Sequence, residues 1–285
     1  MHLLHSLADL QSQYAHWRAE SVVTIGFVPT MGALHEGHMS LVKRAQRENS
    51  HCIVSIYVNP TQFNNPTDLA SYPQTTEEDV RLLEAAGCDA VYFPQAAELY
   101  PQGMQSKHYD LGRLEELMEG AARPGHYQGV ATVVESLLAH VQPTKAYFGL
   151  KDYQQVAVIR RLCALLQLPV TLMACPTARA VDGLALSSRN ALLSEAHRFV
   201  APRIYQSLLW AASNRDRLPL SQVREAMLEK IQGTDGLLRV EYIAFGDPAS
   251  LEPLDETCAL PLGTPVQAFV VTQAGAARLI DNEAI

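Results

Sequence analysis

Between Val22 and Val58 the chain runs apolar strand, glycine-bearing turn, amphipathic helix and second apolar strand, and few folds accept that order. Val22 to Val28 is short and β-branched, Gly37 to Asn49 has helical spacing, and Cys52 to Val58 (CIVSIYV) is largely apolar on both faces. Strands apolar on both faces belong to parallel sheets covered by helices, joined by right-handed crossovers. The alternation continues. Helices are predicted from Ser6 to Glu20, from Thr75–Thr76 to near Gly87, from Gly129 to Val141 and from Tyr153 to Leu166. Strands are predicted at Ala90–Phe93, Lys145–Phe148 and Val170–Ala174. The expectation is an α/β fold, a Rossmann-like doubly wound parallel sheet.

After Pro176 the pattern changes. Ser194 is a candidate N-cap for a helix bent near Pro202, and a further helix starts near Ser221. Strands are predicted at Leu238–Ala244, Val266–Val271 and Ala277–Ile280. Helices followed by antiparallel strands predict a second, smaller α+β domain. The expected division is a larger domain over 1–176 and a smaller one over 177–285.

Composition excludes several function classes. The 285 residues hold 22 Lys and Arg against 30 Asp and Glu, a net charge of −8, so no broad electrostatic footprint for nucleic acid or an anionic membrane is expected. With 48% hydrophobic and 18% charged residues, the chain has the means to build a core. No apolar stretch reaches the roughly 20 residues that span a bilayer, and MHLLHSLADLQ lacks the marks of a secretory signal. Five scattered cysteines (Cys52, Cys88, Cys163, Cys175 and Cys258) read as reduced thiols and, with the absent signal, predict a cytoplasmic protein.

Four constellations can carry chemistry. The first, Thr30 to His38 (TMGALHEGH), leaves a buried strand and enters a helix, where backbone N–H groups and the helix dipole suit phosphate. Standing alone, His35 and His38 would read as surface histidines; their place after a strand reverses that. The stretch is neither a P-loop nor a dinucleotide fingerprint. The second, Gly149-Leu150-Lys151-Asp152-Tyr153-Gln154-Gln155, offers a cation for phosphate, or simply a helix start capped by Asp152. The third, Asp182 to Asn190, sets Ser187, Ser188 and Arg189 on one loop. The fourth comprises Asn59 and Gln62 in NPTQF, and Arg123 and His126 in RPGH; these suit a small polyol acid, though Asn-Pro and Pro-Gly are also plain turn signals. No metal-ligand spacing stands out, and Glu78 and Asp79 are the candidate carboxylates for a cation.

Taken in order, PTMGALHEGH, VNPTQF, RPGH, GLKDYQQ, DGLALSSRN and the terminal ARLIDN resemble the pantothenate synthetase (pantoate–β-alanine ligase) family over nearly the whole chain. The resemblance implies ATP- and Mg²⁺-dependent condensation of pantoate with β-alanine to pantothenate, AMP and diphosphate through a pantoyl adenylate. It also implies a cytoplasmic homodimer, with 1–176 as the nucleotide- and pantoate-binding domain and 177–285 as a C-terminal lid or dimer-associated domain. Carried onto this chain, ATP would meet Met31, Gly32, Ala33, Leu34, His35, Glu36, Gly37 and His38. It would also meet Gly149, Leu150, Lys151, Asp152 and Ala178, and the loop Leu186, Ser187, Ser188 and Arg189. His38 would be the proton donor, with His35, Lys151 and Arg189 on the phosphates. Gln62 and Gln155 would hold pantoate, with Asn59 among the substrate-binding amides. Leu150 stands where the family has an acidic or amide residue, and Ala178 where it has a larger apolar one.

Three other readings fit parts of the pattern. A nucleotidyltransferase acting on a phosphate ester would show ATP–diphosphate exchange without pantoate. An aminoacyl-tRNA synthetase fragment would need a basic RNA-binding surface, which an acidic chain does not offer. A non-catalytic adenine-nucleotide sensor would have no use for His38, Lys151 and the two glutamines.

Overall fold

The computed structural model describes residues 1–19, 23–257 and 260–285. Glu20, Val22 and Cys258, placed above in the first helix, the first strand and the thiol set, lie outside them. The chain separates into two compact units: residues 1–150 with 154–176, and residues 151–153 with 177–285.

The first unit is built on a six-stranded sheet. Its strands are β1 (His2–Leu4), β2 (Ile25–Thr30), β3 (His51–Ile56), β4 (Ala90–Tyr92), β5 (Lys145–Gly149) and β6 (Thr171–Cys175). They run in the order β1-β4-β3-β2-β5-β6, with every pairing parallel. The helices are α1 (Leu7–Arg18), α2 (Glu36–Glu48), α3 (Pro66–Ala70), α4 (Thr76–Ala85), α5 (Ala96–Leu99), α6 (Met118–Ala122), α7 (His126–Val141) and α8 (Tyr153–Leu165).

Side chains alternate across the strands, as a pleat demands. Phe27, Ala146 and Phe148 join one apolar cluster with Tyr127 and Val134 of α7 and Ile159 of α8. Their neighbours Val28 and Tyr147 join another with Met39 and Val42 of α2 and Leu83 of α4. Both faces of the sheet are covered, which is why its strands read as continuous apolar runs.

One strand differs in a way that matters. β2 continues through Pro29 to Thr30, beyond the Val28 end expected from sequence. Its ladder with β5 stops at Phe27↔Ala146, whereas its ladder with β3 runs on to Thr30↔Ile56. Pro29 therefore has no β5 residue paired to it, and its missing N–H leaves no ladder bond unmade on that side.

The second unit holds α9 (Glu195–Val200), α10 (Arg203–Asn214) and α11 (Leu220–Gln232) with an antiparallel sheet of β7 (Arg239–Gly246), β8 (Gln267–Ala274) and β9 (Ala277–Ala284). Ser194 caps α9, its Oγ accepting the His197 N–H at 3.3 Å, and Pro202 separates α9 from α10. Leu208, Val223, Met227, Phe245, Val270 and Leu279 form the core. β9 runs four residues past the predicted Ile280, because the polar pair Asp281–Asn282 continues the strand while breaking its apolar run. Asp281, only 4% exposed, takes a two-pronged bond from Arg179 at 2.6 and 3.0 Å. The Arg179 guanidinium also reaches Glu283 at 3.3 Å and lies 3.6 Å above the Tyr205 ring centroid.

Cys52, Cys88, Cys163 and Cys175 are free and buried. Burial pushes the Cys163 thiol up to about 11 and raises that of Cys175, and Cys52 is raised chiefly by its contact with Cys88. These three are poor nucleophiles at neutral pH. No described helix is long and apolar enough to cross a membrane.

Candidate active site

In an open parallel sheet, ligands bind outside the carboxyl ends of the strands where strand order reverses. Here that point lies between β2 and β5, since β3 and β4 extend one way from β2, and β5 and β6 the other. The loss of pairing after Phe27 opens the sheet at the same place. The H-x-G-H stretch leaves β2 and Asn59–Gln62 follows β3, while Lys151 and Asp152 come directly after β5 in sequence.

The H-x-G-H turn is tightly built. Gly32 and Ala33 both have left-handed backbones (φ +80° and +49°), and for alanine that conformation costs about 1 kcal/mol. The turn is held by Asp79 of α4. Its Oδ2 accepts the Ala33 N–H at 2.9 Å, and its Oδ1 accepts the Leu34 N–H at 2.8 Å and the Thr75 hydroxyl at 3.1 Å. Thr75 thus sits at the N-cap of α4 without its side chain capping an amide. The α2 start is capped by the histidines themselves. His35 Nδ1 accepts the Gly37 N–H at 3.1 Å, and His38 Nδ1 accepts the His35 N–H at 3.3 Å.

The amides of Gly32, Ala33, Leu34, His35 and Gly37 thus already donate within the protein, Gly32 to the Thr30 hydroxyl. The same bonding also assigns the tautomer. A neutral ring accepting at Nδ1 carries its proton on Nε2. The two rings lie 4.1 Å apart, both half-buried, and the chemistry they offer is a pair of N–H donors.

Gln62 is held on both sides. Its side-chain oxygen accepts from Asn59 Nδ2 at 3.0 Å, and its Nε2 contacts Met31 Sδ at 3.1 Å, so the β2 and β3 loops meet here. Its carbonyl faces His126 Nδ1 at 2.7 Å and accepts from Arg123 at 3.3 Å. The RPGH residues thus brace the Gln62 main chain, a role their turn-forming sequence does not reveal. Asn59, 1% exposed, also donates to the Gly129 carbonyl and accepts from Thr61 and Tyr100, so its amide is engaged within the protein. Helix α7 approaches this loop closely: a Cβ on Gly129 would stand 2.4 Å from the Thr61 carbonyl oxygen. Gly129→Ala is therefore expected to destabilise the first unit by about 2 kcal/mol, as overpacked cores do. Urea melting checks this, and an unmoved midpoint contradicts it.

Gln154 and Gln155 part company. Gln154 is buried, donating to the carbonyls of Leu114 and Leu117 and accepting from the Glu119 N–H, whereas Gln155 is half-buried in the first turn of α8.

Lys151 and Asp152, which belong to the second unit, lie in the 3-10 turn Leu150–Asp152, with Lys151 Nζ 3.3 Å from Asp152 Oδ1; Asp152 precedes α8 within this turn. Asn282 donates to the Lys151 carbonyl at 2.9 Å. The Ala178 carbonyl accepts the Leu186 N–H at 2.9 Å, and Arg179 bridges Ala185, making a narrow hairpin. Ser187 then caps the turn Ser188–Leu192, its Oγ accepting the Arg189 N–H at 3.3 Å. Arg179 reaches the Asn282 carbonyl, so the end of β9 braces both the lysine turn and this hairpin. Sequence reasoning missed Asp281 and Asn282 as supports. Their one visible signal is a charged and an amide residue inside an otherwise apolar strand.

The carboxylates considered for a cation are committed elsewhere. Both Asp79 oxygens accept hydrogen bonds, and Glu78 pairs with Arg81 at 3.0 Å. Among the described residues, no group of three or more His, Cys, Asp or Glu could hold a metal ion.

The family model described as pantoate-beta-alanine ligase matches residues 2–284. The chain is 45% identical to a pantothenate synthetase of Porphyromonas gingivalis, covering 99% of this chain and 98% of that one. It is 43% identical to one of Herpetosiphon aurantiacus, covering 99% of each. Its fold is similar to the crystal structure of pantothenate synthetase from Thermus thermophilus, with a TM-score of 0.87, 41% identity and 99% coverage of each chain. It is also similar to a Francisella tularensis pantoate-beta-alanine ligase complexed with beta-gamma ATP and beta-alanine. There the TM-score is 0.80 at 34% identity, covering 100% of this chain and 97% of that one. Matched from end to end in sequence and in fold, the chain belongs to the pantoate–β-alanine ligase family.

Proposed function

We propose that this ligase activates pantoate by adenylation and then transfers the pantoyl group to β-alanine. The observation that carries the reading is the meeting of Met31 and Gln62 at the carboxyl ends of β2 and β3, beside two histidines with fixed tautomers. A carboxylate is inert to amines at neutral pH because its leaving group would be oxide. A pantoate carboxylate oxygen attacks the α-phosphorus of ATP, and the bond to the bridging oxygen breaks, releasing diphosphate. The amine of β-alanine, arriving neutral, attacks the acyl carbon; the C–O bond to AMP breaks, and the amine loses its proton.

We assign the His38 Nε2–H to the oxygen on which charge develops, with His35, Lys151 and Arg189 sharing the load on the phosphates. Met31 to His38, Gly149 to Asp152, Ala178 and Leu186 to Arg189 contact the nucleotide in this reading. Gln62 and Gln155 take pantoate, and Asn59 serves by orienting Gln62. Mg²⁺, in the same reading, arrives as part of the ATP substrate. A homodimeric, cytoplasmic enzyme that binds no nucleic acid completes the proposal.

Pantoate labelled with ¹⁸O in its carboxylate tests the route, because one labelled oxygen must leave in AMP. Unlabelled AMP ends the adenylate reading. Gln155→Ala is expected to weaken pantoate binding by about tenfold while sparing ATP, the cost of one or two lost hydrogen bonds. Calorimetry showing unchanged pantoate affinity removes Gln155 from the pocket.

A further inference from the structure

We propose that Asp79 is a positioning residue for the reaction: its carboxylate sets the turn that aims His35 and His38. The inference rests on the assignment of that turn to ATP. Asp79 lies 46 residues from Ala33 in sequence and is 1% exposed, so the contact is made entirely by the fold. One carboxylate grips two successive main-chain amides, at 2.9 and 2.8 Å, and Thr75 fixes the carboxylate by a third bond at 3.1 Å. The gripped residues directly precede His35, and the first of them is the left-handed Ala33. A Cβ on Gly32 would stand 3.0 Å from Asp79 Oδ2, so the turn and the carboxylate are in close contact.

The physical logic is that of a clamp. Two N–H groups turned toward one point form an anion-binding concavity, and here the protein fills it with its own carboxylate. The acidic first turn of α4, Glu77, Glu78 and Asp79, places that charge at the positive end of a helix. With its anion supplied internally, the turn is shaped before any nucleotide arrives. The aim of the imidazoles that follow on the same stretch depends on that shape. Neither Asp79 nor Thr75 is required to touch a reacting atom.

Asp79→Asn tests this, since it keeps the size but turns one accepting oxygen into a donor facing an amide N–H. The full-length enzyme is expected to lose about tenfold to a hundredfold in kcat for pantoate-dependent ATP–diphosphate exchange, the scale of a misplacement near 1 Å. The KM for pantoate should stay within about twofold, because Gln62 and Gln155 are untouched. Hydrogen exchange at the Ala33 and Leu34 amides should quicken by about tenfold or more. Thr75→Val, which removes only the supporting bond, is expected to show the same pattern at about threefold in kcat.

The proposal is overturned if kcat of Asp79→Asn stays near the parent value, or if the lost rate follows the folded fraction while both amides exchange as before. His38→Ala, measured beside it, separates the two claims. A slow His38→Ala with a normal Asp79→Asn overturns the clamp alone. A normal His38→Ala with a slow Asp79→Asn removes His38 from its role and keeps the clamp.

Discussion

Replacing His38 with alanine is expected to slow pantoate-dependent diphosphate release by about 10²–10⁴-fold while the protein stays folded. The structural loss is small. The His38 ring accepts the His35 N–H at 3.3 Å and has a tilted ring neighbour at 4.1 Å, contacts confined to the turn itself. In the proposed role the catalytic loss is large because Nδ1 is tied to that amide, and Nε2 is the side of the ring assigned to deliver the proton. Water cannot replace a donor held in fixed orientation, and its removal raises the barrier by about 3–5 kcal/mol. Rapid-quench measurement of the first turnover, with ATP binding followed separately, is the check. A diphosphate burst of near-normal rate would show that His38 is not the donor.

Asp281→Ala is expected to destabilise the second unit by about 3 kcal/mol, at the lower end for breaking a buried ion pair. The figure is not larger because Arg179 keeps Glu283 at 3.3 Å, the carbonyls of Gly183 and Asn282, and the face of Tyr205. What it loses is the closest and best-aligned partner, leaving a half-satisfied guanidinium under cover. The double replacement Arg179→Met with Asp281→Leu should recover most of the loss, since two apolar side chains leave no uncompensated charge. Denaturant melting of the three variants completes the cycle. A single-variant loss below about 1 kcal/mol would mean that the pair contributes no more than a surface bridge.

Much of the fold was readable in the chain because burial on both faces leaves a local mark. Phe27 and Val28, or Tyr147 and Phe148, are apolar neighbours with no polar alternation, and they go to opposite clusters. Where the mark is not local, reading fails. Nothing near Asp79 distinguishes it from Glu78, yet one pairs with Arg81 at the surface and the other holds a loop 46 residues away. Gln154 and Gln155 look alike in sequence, and only the packing of α8 buries the first. Pro29 reads as the end of a strand until the early stop of the β2–β5 ladder is known. The motifs that point to the candidate site stand out in the sequence, but their bracing does not. Arg123 and His126 read as turn chemistry because their target, the Gln62 carbonyl, is more than 60 residues distant.

The way Gln62 is secured bears on the pantoate-binding role proposed for it. A glutamine side chain has three rotatable bonds, and stilling them at the moment of association costs affinity. In this molecule the amide is steadied by Asn59 and the peptide behind it by Arg123 and His126. Immobilisation therefore happens during folding, and in the proposed role an incoming carboxylate meets a receptor already at rest.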